Sequence, residues 1–125
     1  MNAPELNLAN LFRRSDNMKE YPAGTALFKE GDAADGLYVI VDGEVDILVE
    51  GNKVDTLLPG AIVGEMALLN NAPRSATAVA KTTCKAVPVG ERQFLFMIQE
   101  TPNFALQVMR TLSSRLRHMD HKHAK

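Results

Sequence analysis

Val63-Gly64-Glu65-Met66-Ala67-Leu68-Leu69-Asn70-Asn71-Ala72-Pro73-Arg74-Ser75-Ala76-Thr77-Ala78 interrupts the pattern of the chain around it. On both sides the sequence runs in short stretches of strand-forming residues. Inside it, Gly64 opens a run of good helix formers, Glu65 to Leu69, so the segment reads as a short helix inserted into a β region. Between Val54 and Ala80 only Asp55, Glu65 and Arg74 carry charge. Arg74 is therefore expected to be buried and to need a partner. Free N–H groups at a helix start, with the dipole behind them, favour an anion. Arg74 follows the rigid Ala72-Pro73 step and can bring its planar fork to the same anion. Together these residues read as a small phosphate cradle. An internal Glu65–Arg74 ion pair is the competing reading, weakened because a buried pair adds little net stability over apolar residues.

Outward from this insertion the signals are those of β structure. Ala26-Leu27-Phe28 forms a short strand before Gly31. Leu37 to Val41 and Val45 to Val49 are strand-like runs joined by Asp42-Gly43, a hairpin signal. In the second run Val45, Ile47 and Val49 are expected to point inward. Glu50 to Lys53 is a tight turn, after which Val54, Thr56 and Leu58 continue the alternation to Pro59-Gly60. After Arg74, Ala76, Ala78 and Ala80 alternate with Thr77 and Val79, their small side chains leaving room for a flat ligand beside the sheet. One more strand runs from Thr83 to Val89. Short strands at intervals of about 8–12 residues, bounded by Gly or Pro, indicate an antiparallel sandwich or jelly roll.

Helices flank the β region. Leu6, Leu8, Leu11 and Phe12 fall at helical spacing in a short segment ending near Ser15. Glu91 to Glu100 reads as a helix, and Thr101-Pro102 supplies an N-cap and a first-turn proline for another at an angle to it. In that last helix Ala105, Met109, Leu112, Leu116 and Met119 recur at spacings of four and three, a heptad-like seam about two heptads long. The expected organisation is one domain over 1–125: a helical segment 1–15, a β-roll 16–90 with the insertion at 63–78, and C-terminal helices 91–125.

Composition narrows the function. Fourteen basic residues against fifteen acidic ones give a net charge of −1, so the chain has no electrostatic footprint for nucleic acid. A single cysteine, Cys84, excludes an internal disulfide and cysteine-based metal clusters and reads as a small buried filler. His118, His121 and His123 lack a supporting carboxylate or cysteine frame and read as a polar terminus, with no metal site. No apolar run reaches the ~20 residues of a membrane span, and Met1 to Arg14 lacks a signal-peptide core, so a cytoplasmic location is expected. No nucleophile–base pair or carboxylate dyad appears, so the chain is not expected to be an enzyme.

Gly64-Glu65-Met66-Ala67-Leu68-Leu69, a spacer, and Pro73-Arg74-Ser75-Ala76 resemble the phosphate-binding cassette of the cyclic-nucleotide-binding domain family. The likeness extends through Gly31-Asp32, Tyr38-Val39-Ile40, Gly43 and Pro59-Gly60 to the terminal helices. It implies a β-roll that binds cAMP or cGMP, with Arg74 on the exocyclic phosphate oxygens and Glu65 on the ribose 2′-hydroxyl. Gly64, Met66, Ala67, Ser75 and Ala76 would complete the cradle. Leu112-Ser113-Ser114-Arg115-Leu116-Arg117 is similar to the dimerisation helix of catabolite-activator-type regulators, which implies a homodimer. No helix-turn-helix like the one that follows in those regulators is expected here, and Met119 and Asp120 stand where a threonine and a serine reach the base. Base capping is left to Arg110, Leu112 or Arg115. The expected function is a stand-alone cyclic-nucleotide sensor that signals to an unknown downstream protein through its C-terminal helix. The alternative is a ligand-free interaction module of the same fold.

Overall fold

The computed structural model describes residues 8–65 and 72–123, with side chains through residue 113. In chain order the elements are α1 (Leu8–Phe12), β1 (Lys19–Tyr21), β2 (Ala26–Phe28), β3 (Leu37–Asp42), β4 (Val45–Val49), β5 (Asn52–Leu57), β6 (Ile62–Val63), β7 (Thr77–Ala80), β8 (Cys84–Val89), α2 (Glu91–Glu100) and α3 (Pro102–His123). The strands form two four-stranded sheets, ordered β1-β8-β3-β6 and β2-β7-β4-β5. Every pairing is antiparallel. This is the expected β-roll, mainly β with flanking helices.

The sheet containing β3 is covered on both faces, which is why Leu37 to Val41 reads as a continuous apolar run rather than an alternating one. Leu37, Val39 and Val41 face the helices, where they pack with Leu8, Phe12, Phe104 and Val108. Ile40 faces the interior between the sheets, with Phe28, Val45, Ile47 and Leu57. Side chains as completely buried as Val39, Ile40 and Val41 each stabilise the fold by about 1.5–3 kcal/mol. Phe104 joins the helices to one another, with ring centroids 6.1 Å from Phe12 and 5.5 Å from Phe94, both edge-on.

Three expectations are corrected. Asp42-Gly43 is not a hairpin: β3 and β4 lie in different sheets, and the dipeptide turns the corner between them. A Cβ on Gly43 would collide with the Thr83 carbonyl oxygen and sit 2.8 Å from Cys84 Cα. Its φ of 84° and that close approach demand glycine as strongly as a tight hairpin would. The dipeptide therefore does not reveal which strands pair.

The second correction concerns phase. The pairing of β4 with β5 slips between Ile47 and Leu48, where Ile47 faces Asp55 and Leu48 faces Lys53. Val54 is the extra residue of this bulge and lies exposed, so Leu57, not Leu58, reaches the core. The Glu50-Gly51 turn holds as expected, both residues having positive φ.

Third, the face that α3 buries is Phe104 and Val108, with Leu112 partly buried beside them. Met109 of the expected seam is 60% exposed. The i, i+4 stripe one residue earlier packs on the β-roll because Phe104 is the larger side chain and carries most of the burial. The side chains of Leu116 and Met119 lie outside the described residues, as do Leu6 and residues 66–71, where the inserted helix is expected. The break at Thr101-Pro102 falls as expected.

Candidate functional site

Arg74 lies between Pro73 and the start of β7, and its backbone is fixed from both sides. Its N–H donates to Asp32 O, and Gly31 N–H donates to Arg74 O, each at 2.8 Å. The side chain turns inward and is the one charged residue buried among those described, 6% exposed. Nη1 donates to Gly64 O at 3.0 Å and Nη2 to Gly36 O at 2.7 Å. One face of the guanidinium lies over the Phe28 ring, with Cζ 4.2 Å from the centroid. Asp35 Oδ1 is 3.7 Å from Nη2, but that carboxylate is 91% exposed. Nε is buried and has no hydrogen-bond partner among the described residues.

This is an unusual environment for a permanent cation. Two in-plane donors meet neutral carbonyls, one face meets a ring quadrupole, and the carboxylate in reach is solvated. Buried donors nearly always find partners, so the orphaned Nε is a donor that a further acceptor would satisfy. Gly64 makes the arrangement sterically feasible. Its φ is +81°, and a Cβ there would lie 2.6 Å from Arg74 Nη1 and 3.2 Å from Phe28 Cε2.

The expected site residues fall as follows. Gly64 is in place and offers its carbonyl to Arg74. Glu65 is half-buried at the start of the insertion. Met66 and Ala67 lie outside the described residues. Ser75 is exposed, and Ala76 packs, half-buried, against the core between the sheets. Of the capping candidates, Arg110 is exposed and Leu112 half-buried, while the Arg115 side chain lies outside the described ones.

Leu112 shares a cavity of about 220 Å³ with Leu37, Glu65, Phe94 and Val108, so Glu65 and α3 meet at one largely apolar space. Leu37 adjoins Gly36, whose carbonyl accepts from Arg74. The arginine's acceptor and the cavity's wall are thus one residue apart along the chain at the start of β3.

Phe28, Asp35 and Gly36 were not legible as site residues. The pairing of β2 with β7 shifts between Ala26 and Phe28. This irregularity lets the consecutive Leu27 and Phe28 both be buried, where a regular strand would turn one outward. Nothing in Ala26-Leu27-Phe28 announces it. Cys84 is fully buried, as expected of a filler, and burial pushes its thiol up to about 11, which leaves it unreactive. The side chains of His118, His121 and His123 are outside the described residues. Among the described residues no helix is long and apolar enough to cross a membrane.

Comparison with known proteins bears on the family and the fold. The family model described as the cyclic nucleotide-binding domain matches residues 18–101. A cAMP-dependent protein kinase regulatory subunit of Debaryomyces hansenii is 44% identical over 73 residues, covering 55% of this chain and 16% of the relative. The crystal structure of Thermus thermophilus catabolite activator protein is 31% identical, covers 96% of this chain and 58% of its own, and superposes with a TM-score of 0.73. A structure from work on a cyclic-GMP-dependent signalling pathway that regulates bacterial phytopathogenesis is 27% identical. It covers 94% of this chain and 95% of its own, with a TM-score of 0.72. The chain thus spans about a sixth of the kinase subunit it matches.

Proposed function

The chain belongs to the cyclic nucleotide-binding domain family, and from that premise we propose that it is a sensor module for cAMP that reports binding through its C-terminal helices. The observation that carries this reading is Arg74, a buried guanidinium with an unpartnered Nε. A cyclic phosphate supplies the missing acceptor and the missing charge together. Glu65 would take the ribose 2′-hydroxyl, with Gly64, Met66, Ala67, Ser75 and Ala76 around the phosphate. The base would then enter the cavity against Leu112, the better placed of the two described capping candidates because it already lines the space that Glu65 borders. The Debaryomyces relative, cAMP-dependent by name, supports the choice of base. So does Ser75, which lacks the methyl that fixes the hydroxyl of the threonine accompanying cGMP preference in the family. The buried, unreactive Cys84 fits a reducing, cytoplasmic setting.

Calorimetric titration with cAMP and cGMP, with 5′-AMP as control, tests the proposal. cAMP is expected to bind at least as tightly as cGMP, the difference being about 1 kcal/mol, the size of one neutral hydrogen bond. A tenfold preference for cGMP would overturn the ligand choice, and no heat with either nucleotide would overturn the function.

A second reading rests on Met109 and Leu106, which stand exposed on α3. They would form the core of a homodimer contact through that helix, independent of ligand. Sedimentation of the protein with and without cAMP separates this role from sensing.

A further inference from the structure

We propose that Phe28 is the positioning residue for Arg74: its ring face holds the guanidinium in the plane from which Nε meets the anion. This deepens the reading above and rests on Arg74 being the anion's partner.

The argument begins with what fixes a guanidinium. Two hydrogen bonds, to Gly64 O and Gly36 O, lie in its plane and leave it free to tilt about the line joining the two carbonyls. Contact with a face removes that freedom. The Phe28 ring, 4.2 Å from Cζ, is that contact. The ring is itself part of an aromatic row. Tyr38 lies at 5.9 Å and tilted by 33°, and Tyr21 stands edge-on to Tyr38 at 6.4 Å. The Tyr38 hydroxyl donates to Leu27 O at 3.4 Å, anchoring this aromatic row to the strand that carries Phe28. Burial raises the Tyr38 phenol above its ordinary value, so the hydroxyl keeps the proton it donates.

The shift in β2 pairing gives an independent indication. It aims Phe28 inward beside an already buried Leu27, at the cost of a regular ladder. A leucine would fill the same space with apolar atoms, but it has no quadrupole to face a cation. With the ring's attraction weakened, the guanidinium would tilt toward the solvated Asp35 carboxylate, 3.7 Å from Nη2, and the anion would have to draw it back before binding. Affinity should therefore follow the electron density of the ring, not its size.

The test replaces Phe28 with 4-fluoro-, 3,5-difluoro- and 3,4,5-trifluorophenylalanine, which nearly preserve shape while draining the ring face stepwise. Three quantities are measured: cAMP affinity, the thermal midpoint, and the resonance of Arg74 Nε–H in the free protein. Affinity is expected to fall in order along the series, reaching about fivefold for the trifluoro ring, the range of a partly desolvated cation–π contact. The thermal midpoint should stay nearly constant while the ring-current shift of Nε–H shrinks in the same order. Phe28→Leu should weaken binding at least as much as the trifluoro ring. Flat affinities across the series, or affinity that tracks the thermal midpoint, would overturn the proposal. If wild-type protein binds no cyclic nucleotide, the functional reading fails separately. The Nε–H resonance still decides the positioning claim, since a shift that is unaffected by fluorination refutes it.

Discussion

At the scale of single residues, the arginine at position 74 has two jobs that its replacement would separate. Its backbone closes a pair of hydrogen bonds with Gly31 and Asp32, and any residue can make those. Its side chain brings a positive charge into a site otherwise lined by carbonyls and an aromatic ring. Arg74→Leu keeps the first job and removes the second. It removes a buried donor without an acceptor but also leaves the Gly36 and Gly64 carbonyls without their partner, so the fold should survive at a cost of about 1–3 kcal/mol. Binding should fall by about 2–5 kcal/mol, roughly 30-fold to several thousand-fold, because the phosphate loses its charge-assisted partner. Calorimetry on the variant, with its folding verified at the temperature of the titration, is the check, and an affinity within threefold of wild type would place the anion elsewhere.

The buried thiol gives a prediction of another kind. Burial, and more weakly the Asp42 carboxylate, pushes Cys84 up to about 11. The folded state thus holds its proton at pH values where the unfolded chain has released it. Stability from this source is complete below the unfolded thiol value, near 9, and is lost as pH rises through about 11. The loss is of order 2–3 kcal/mol, at 1.36 kcal/mol per pKa unit. Urea denaturation of wild type and Cys84→Ala at pH 8 and pH 10.5 isolates it. The wild type should lose more stability between the two than the variant does, and equal losses would refute the assignment.

At the scale of elements, the two sides of α3 have different duties. Phe104 and Val108 belong to the core beneath α1 and β3, so removing the helix from Pro102 would uncover that core as well as any lid. Point changes are cleaner. Leu112 lines the cavity that Glu65 borders, whereas Met109 is exposed. Leu112→Ala is expected to weaken cAMP binding by roughly 1 kcal/mol, about fivefold, because the base then buries less apolar surface against the helix. Met109→Ala should leave the affinity unchanged. Titrating both variants checks the pair, and equal effects would mean that the base does not rest on this helix.

What the sequence revealed about these elements, and what it concealed, has a common cause. Turn residues, the Thr101-Pro102 break and the apolar runs are local, and the β-roll with its flanking helices followed from them. The charge isolated at Arg74 was local too, and so was its burial. Pairing is not local. Asp42-Gly43 carries the same dipeptide whether the next strand pairs or leaves for the other sheet, and the bulge at Val54 moves the core position from Leu58 to Leu57 without any change in composition. Phe28 was hidden for the same reason, because its inward aim depends on an irregular pairing with β7. The stripe on α3 was ambiguous between two neighbouring phases, and only the β-roll surface selects Phe104 over Ala105.

At the scale of the whole molecule, the sheet containing β3 is a wall between two apolar clusters, one inside the roll and one beneath the helices. The arginine side chain lies on the inner side and α3 on the outer. They meet at Gly36-Leu37: the glycine carbonyl accepts from Arg74 Nη2, and the next side chain, Leu37, lines the cavity with Val108 and Leu112. A ligand shifts a conformational equilibrium only through contacts that differ between the two states. An anion drawing on the guanidinium would change the demand on the Gly36 carbonyl, while a base in the cavity would add apolar contacts to α3, so both effects would act on the same helix. cAMP is expected to raise amide protection across residues 103–113 as well as around Arg74. Leu37→Val shortens the shared side chain by one methylene, for about 1 kcal/mol of stability. It should reduce the protection gained by the helix more than the protection gained around Arg74, a difference that spatial proximity alone does not require. Hydrogen exchange on wild type and Leu37→Val, each with and without saturating cAMP, provides the measurement. If protection rises around Arg74 while residues 103–113 stay unchanged in the wild type, the helix is no lid and the binding signal leaves through another surface.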